Sequence, residues 1–549
     1  MTKNLISISK EKRDLHVLNE MIMVKDMSAE EELVFVRRTS GLKKQITMRT
    51  AWAFSLAAAQ MPWIWALIAR MPDYYPGASM FITFLIAGIF TIFEGVGHGL
   101  LMVAMPRSGG NYVMVSRSLG PLFGAMEYVR NLFINPIGAG ATAFTGVMAF
   151  SGQMVILGTV LQNPNLISLG SSLSNVYVIA VAALGLYAVT HVVDLLGPGW
   201  DAKLLAIFGG LAVLSLIAAG GVYATTPHNA LPQAWDTTFG SGAYQEIVDK
   251  STGLGFVSPT FDWTTQLTSI FIPITSCCWP YDIMIFAGEV QEPSKTIMFA
   301  SLLGGFGTPL LWGGVTVFFQ GAYGNFSTMV NMAFDSGTPL VLNTPFATNM
   351  GTFAAVLTTN PVISTFIALG PIFGVIGTLG PIYIAWNTRT QFAGAMDRLA
   401  PRPLAAVSKW GTPKYCILYN FIIGGISIAL LTMGFWTFAA ISWLISYAMI
   451  RWWWGLGETM LPWGRRKIFE ASPIKWAIAG VPLIAICGVV VVFEFLYILF
   501  ASAVITDIVS MIAIAGMYAF GCVWYQIFAA RAATKGIDLS ETFRELPPE

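Results

Sequence analysis

The sequence predicts an all-α integral membrane protein of about twelve transmembrane helices, on three observations. Only 11% of its 549 residues are charged and 55% are hydrophobic, whereas about a quarter of a soluble globular chain is charged. The apolar residues gather into runs of roughly 20 or more, long enough to cross a hydrocarbon core ~30 Å thick at ~1.5 Å per residue. Under a twelve-helix count, 27 of the 30 Lys and Arg residues fall on one side, as the retention of positive loops in the cytoplasm requires.

Segments 1 to 5 are expected at 49–69, 78–105, 120–149, 176–194 and 203–224. Segments 6 to 12 follow at 266–289, 298–320, 364–388, 414–433, 436–454, 475–498 and 502–529. Ten of the positive residues lie in the N-terminal stretch through Arg49, nine of them in the N-terminal region 1–48, and most others follow the even-numbered segments, including Arg389 after segment 8. The loops after odd-numbered segments hold only Arg70 and Lys250. Both termini, the second a tail at 531–549, are therefore expected in the cytoplasm of a multi-pass protein of the cell membrane. The long outer loops, 225–265 and 321–363, are expected to form partly ordered lids, with short helices at 329–334 and 351–357.

The net charge of +1 gives no footing for a nucleic-acid partner. Cysteines 277, 278, 416, 487 and 522 all fall inside predicted helices, so they read as packing residues rather than a disulfide framework or a metal set. The four histidines, His16, His98, His191 and His228, are scattered, which leaves a membrane enzyme without a catalytic constellation. No metal or cofactor is expected.

Segments 1 and 6 carry interruptions. Segment 1 has Gln60 and Pro62 at its middle, and segment 6 has Pro273, Thr275, Ser276 and Pro280. Proline removes a backbone donor and clashes with the preceding turn. Backbone freed at membrane depth is tolerated where it is buried in protein or lines a cavity, so paired interruptions point to a binding site. Gln60, Met61, Thr275, Ser276, Cys277 and Asp282 are its candidate contacts, with Trp63, Trp279 and Tyr281 shaping it. Asp282 either faces a substrate amine or caps the restarting helix. On segment 2, Glu94 and His98 share a face at i and i+4 and either relay protons or make a structural hydrogen bond. Glu127 and Arg130 read as a neutralising pair, Glu494 and Asp507 as interfacial, and Trp452 to Trp454 as interface anchors.

Three loop strings, MPRSGGNYVMVSRSLGPLFG from Met105, AGEVQEPSKTI from Ala287 and TRTQFAGAMDRLAPRPLAAVSKWGTP from Thr388, occur in order on predicted inner loops. They resemble the amino acid, polyamine and organocation permease superfamily over about residues 37–530. The resemblance implies two inverted repeats, 49–224 and 266–454, two accessory helices within 455–530, and substrate held at the breaks of segments 1 and 6. It implies a secondary transporter of amino acids or related amines, with Glu289 in a gate contact. Transport of a polyamine or nucleobase, or a ligand sensor or channel of the same fold, are the alternatives. The sequence departs from the family where a glycine-rich break is replaced by Ala57 to Pro62, and where a segment 5 lysine is replaced near Gly209 and Gly210. The coupling ion, H+ or Na+, and the oligomeric state stay open.

Overall fold

A computed structural model of the chain describes residues 42, 44–277, 279–337, 348–436, 452–501 and 508–546, with the side chains of 279–282 and 510 outside that set. It is 80% helical, and among the described residues ten helices are long and apolar enough to cross a membrane. The all-α, multi-pass membrane character is therefore plain. Segment 6 is not among the ten and consists of Trp263–Ser269, Phe271–Cys277 and a tighter 3-10 stretch, Trp279–Glu289. Most of predicted segment 10 lies outside the described residues, although 452–464 is helical.

Local signals explain where the helices begin. Gly120, at φ 112°, turns the chain into Pro121–Val160, whose first-turn proline lacks a donor that the helix start does not use. Side-chain oxygens of Asn163, Asn175 and Asp262 accept from the first amides of the helices they precede. Asn349 and Thr352 form a capping box on Met350–Val356. With Phe326–Asp335, that helix supplies the two short helices expected in the second long loop, while Leu231–Phe239 and Ala243–Gly253 order the first.

Several expectations need correction. Segment 11 does not begin as a helix at 475: Ala477–Ile478 pairs antiparallel with Val481–Pro482 around Gly480 at φ 81°, and the helix starts at Leu483. Segment 3 runs eleven residues past its predicted end, to Val160. Glu494 is fully buried rather than interfacial, and Trp453 and Trp454 are buried against protein rather than anchored at an interface. Arg389 is not a loop residue but lies buried within Ala385–Met396. Hydropathy finds apolar stretches without showing which neighbour covers them, which accounts for the buried placements of Glu494, Trp453, Trp454 and Arg389. Asp507 and Arg451 lie outside the described residues.

Small residues let the helices approach. Met80–Ala104 lies along Pro293–Tyr323, where Thr91 Oγ1 donates to the Gly305 carbonyl at 3.0 Å and a Cβ on Gly305 would meet the Gly95 backbone. Loops gather at two ends of the helical body. At one, Ile46 bridges Val290, and Arg117 binds Asp397 at 2.5 Å and the Glu545 carbonyl at 3.0 Å. Tyr112 donates to Asp397 at 2.7 Å, and burial, helped by that carboxylate, pushes its phenol well above the ordinary tyrosine range. At the other end, the short helices of the long loops cover a cluster of aromatic rings, and Asp335 at the end of one of them pairs with Arg70.

Candidate functional site

The interruption of segment 1 is real and is built without glycine. Met48–Trp52 passes into a π-helical turn, Ala53–Ala57, the chain leaves the helix at Ala58, and Pro62 starts Pro62–Ala69. Met61 is extended, at φ −64° and ψ 143°, a conformation any residue adopts before proline. The altered Ala57 to Met61 string thus makes a break through register loss and proline rather than left-handed backbone. The wide π turn leaves carbonyls that other helices satisfy. Trp312 Nε1 donates to the Ala59 carbonyl at 3.2 Å and Thr308 Oγ1 to the Ser55 carbonyl at 2.9 Å. Gly374 brings segment 8 so near that an added Cβ would run into the Gln60 carbonyl. Tyr383, in the π-helical Leu379–Ile384 of segment 8, sets its hydroxyl 3.4 Å from the Met61 sulfur.

The irregular parts of segments 1 and 6 meet. Ala53–Ala57 packs on Trp279–Glu289, with the Phe54 and Phe286 rings edge to face at 5.6 Å, and Pro62–Ala69 packs on Phe271–Cys277. Gln60, Met61, Thr275, Ser276 and Cys277 are all buried here, and Trp63 is half-buried against the same core. Thr275 Oγ1 bonds back to Phe271 and Ile272 carbonyls at 2.9 and 3.0 Å. Ser276 Oγ and Gln60 Oε1 are buried without a hydrogen-bond partner among the described residues, as polar groups awaiting a ligand or water are. The side chains of Trp279, Tyr281 and Asp282 lie outside the described residues, as do Trp443 and Tyr447. Gly209 faces Ala57 so closely that a side chain there would collide, and a lysine at this position has no room.

Two buried charge clusters flank the interruptions. In the first, His98 Nδ1 lies 2.6 Å from Glu458 Oε1, with the Trp454 ring edge to face at 4.3 Å. Glu94 is buried on the same face, and Gly97 leaves the space that Glu458 occupies. Sequence spacing pointed to Glu94 and His98 but not to Glu458, which comes from residues 452–464 with no local signal. In the second, Arg389 Nη1 binds Asp194 Oδ1 at 2.5 Å and its Nε approaches Glu289 Oε1 at 3.3 Å. Ser108 Oγ adds a 3.2 Å bond to Glu289, and Asp201 stands beside Asp194. All four side chains are fully buried. Glu289 was expected at a contact of this kind; Asp194, Asp201 and Arg389 were not singled out. Glu127 and Arg130 do pair, at 2.6 and 3.0 Å.

Among the described residues no group of three His, Cys, Asp or Glu side chains is placed to hold a metal ion. Compared with known proteins, the chain matches no protein-family model and no curated protein sequence.

Proposed function

We propose that the chain is a secondary active transporter of amino acids or related organic amines, working by alternating access across the cell membrane with both termini in the cytoplasm. The observation that carries this reading is the meeting of two interrupted helices, Ala53–Ala57 with Met61 on one side and Phe271–Cys277 with Trp279–Glu289 on the other. Half-helix ends present uncancelled partial charge, positive at N-termini and negative at C-termini, which suits a solute bearing both an ammonium and a carboxylate. Buried Gln60 and Ser276 oxygens at the junction supply further polar contacts.

Packing between the two sets of five supports an inverted repeat followed by two accessory helices. Segment 2 lies along segment 7, segment 3 along segment 9, and segment 4 against the π-helical part of segment 8. The pairs 3 with 9 and 8 with 4 are the exchange that a twofold relation between the sets requires. Helices Leu483–Ala501 and Ile508–Ala533 pack outside, on segments 2 and 3. The similarity of the three loop strings to amine and amino acid permeases points the same way, and no catalytic role is assigned to any residue.

Uptake into proteoliposomes tests the proposal, with amino acids, polyamines and nucleobases supplied separately under sodium and pH gradients. Saturable flux of an amino acid or amine, reduced by Gln60→Ala and Ser276→Ala, is expected. Absence of saturable flux for every solute in the panel overturns it.

A further inference from the structure

The helix Ile508–Ala533 ends in a sharp reversal. Gly536, at φ 71°, donates its amide to the Ala533 carbonyl at 3.0 Å and Ile537 donates to Ala532 at 3.1 Å, the paired closure that a left-handed glycine gives a helix. The chain then folds back over the end of the helical body that holds Arg117. Asp538 caps the short helix Leu539–Thr542, and Leu539 and Phe543 are buried in one apolar cluster with Tyr112, Tyr128 and Leu399.

Arg117 is the centre of this contact. Its Nη1 and Nη2 bind the two Asp397 oxygens at 2.5 and 2.8 Å, a bidentate pair. Its Nε donates to the Glu545 carbonyl at 3.0 Å, Nη2 approaches the Thr542 carbonyl at 3.5 Å, and the guanidinium carbon stands 5.0 Å from the centre of the Phe543 ring. The stretch 537–546 thus gives Arg117 carbonyls and a ring but no charge, and its departure leaves the pair with Asp397 in place. What departs is the cover. The side chains of Arg117 and Asp397 are only 1% and 3% exposed, and an ion pair that is strong away from water is worth little once water reaches it.

That pair ties Gly110–Ser118 to the end of Ala385–Met396, with Tyr112 adding its own bond to Asp397. The start of Gly110–Ser118 bears on Trp279–Glu289. There the Gly109 amide donates to the Ile285 carbonyl at 3.3 Å, Ser108 Oγ reaches Glu289, and a Cβ on Gly288 would strike the Ser108 backbone. We propose that residues 537–546 form an autoinhibitory latch, which keeps water from the Arg117–Asp397 pair and so holds Gly110–Ser118 against Trp279–Glu289. Its release lets that end of the protein open. The inhibition rests on the transporter reading; the latch itself does not. The attachment is slight for the length of chain it orders. Residues 533–536 leading into it are exposed, as are Asp538, Glu541, Arg544 and Glu545, so the stretch can detach without unfolding the helices beneath it.

Hydrogen exchange of the purified full chain in lipid tests the latch without any substrate. In the wild type, 539–546 and 110–118 should lose protection together, well before the interiors of the long helices. Phe543→Ala should speed exchange of 110–118 and 285–289 about tenfold, and Phe543→Leu should do so less. Arg544→Gln, which breaks only the exposed pair with Glu541, should change neither. The wild-type measurement needs no substitution, so a misfolded variant leaves the test intact. The latch is overturned if wild-type 110–118 stays protected after 539–546 has exchanged, or if Phe543→Ala frees 539–546 alone. In the uptake assay Phe543→Ala should raise the initial rate several-fold, and an unchanged or lower rate overturns the inhibition. Failure of every solute in the panel overturns the transporter reading and the inhibition with it, while the exchange result stands separately.

Discussion

The two ends of the helical body are closed by different physics. At the end that gathers Ile46, Ser108, Glu289 and Asp397, closure rests on fully buried ion pairs, Arg389 with Asp194 and Glu289, and Arg117 with Asp397. At the opposite end the short helices close over rings of Trp235, Phe326, Tyr244, Tyr323 and Phe353, and the ion pair of Arg70 with Asp335 is partly exposed. Aromatic contacts are lost in increments, each of about 0.5–1.5 kcal/mol. A buried charge cluster has no stable half-open form, since removing one partner strands the others in low dielectric. The difference teaches that the contacts at the charged end stand or fall together, whereas those at the aromatic end can be lost piecewise.

Substitutions break or sharpen that comparison. Arg389→Gln should have the largest effect, a loss of about 3–5 kcal/mol in stability measured by thermal unfolding of the purified protein; a loss no greater than that of Arg70→Gln would erase the contrast. Gly374→Ala forces a Cβ onto the Gln60 carbonyl between the ends, and should cost about 1–3 kcal/mol and lower uptake. Tyr323→Phe removes a 2.8 Å bond to the Phe353 carbonyl, with an expected cost of about 0.5–1.5 kcal/mol and looser protection of residues 350–356 in hydrogen exchange. Arg70→Gln should cost about 0–1 kcal/mol, an effect that vanishes at high salt.

The smallest effect concerns pH. Thr265, through its amide and hydroxyl, holds the exposed Asp262 carboxyl below its ordinary range. Its capping contribution is therefore present above the ordinary Asp value of about 3.9 and is lost as pH falls through the lower folded value. Unfolding temperatures recorded between pH 5 and pH 3 should drop less for Asp262→Asn, which caps without titrating, than for the wild type.

Much of this contrast was legible in the sequence, but not all of it. The positive loops marked one end as charged, and Pro62, Pro273 and Pro280 marked the two interruptions, because proline acts on its own backbone wherever it sits. Glu94 and His98 were found through helical spacing. Glu458 was missed because it matters only through His98, a partner far along the chain, and no periodicity encodes that distance. Trp453 and Trp454 misled for the same reason: a tryptophan at a helix end looks alike whether lipid or His98 lies beside it.

Composition, hydropathy and local backbone chemistry thus determined by themselves that this is a helical membrane protein, where most of its helices run, and which two are interrupted. Those properties follow from forces acting within about twenty consecutive residues. Only the tertiary structure decided that Ala53–Ala57 meets Trp279–Glu289, that His98 faces Glu458, and that Arg389 is shared between Asp194 and Glu289. Each of those depends on charges or freed backbone from separate helices that cannot remain in low dielectric alone, so their partners are fixed by how the helices assemble.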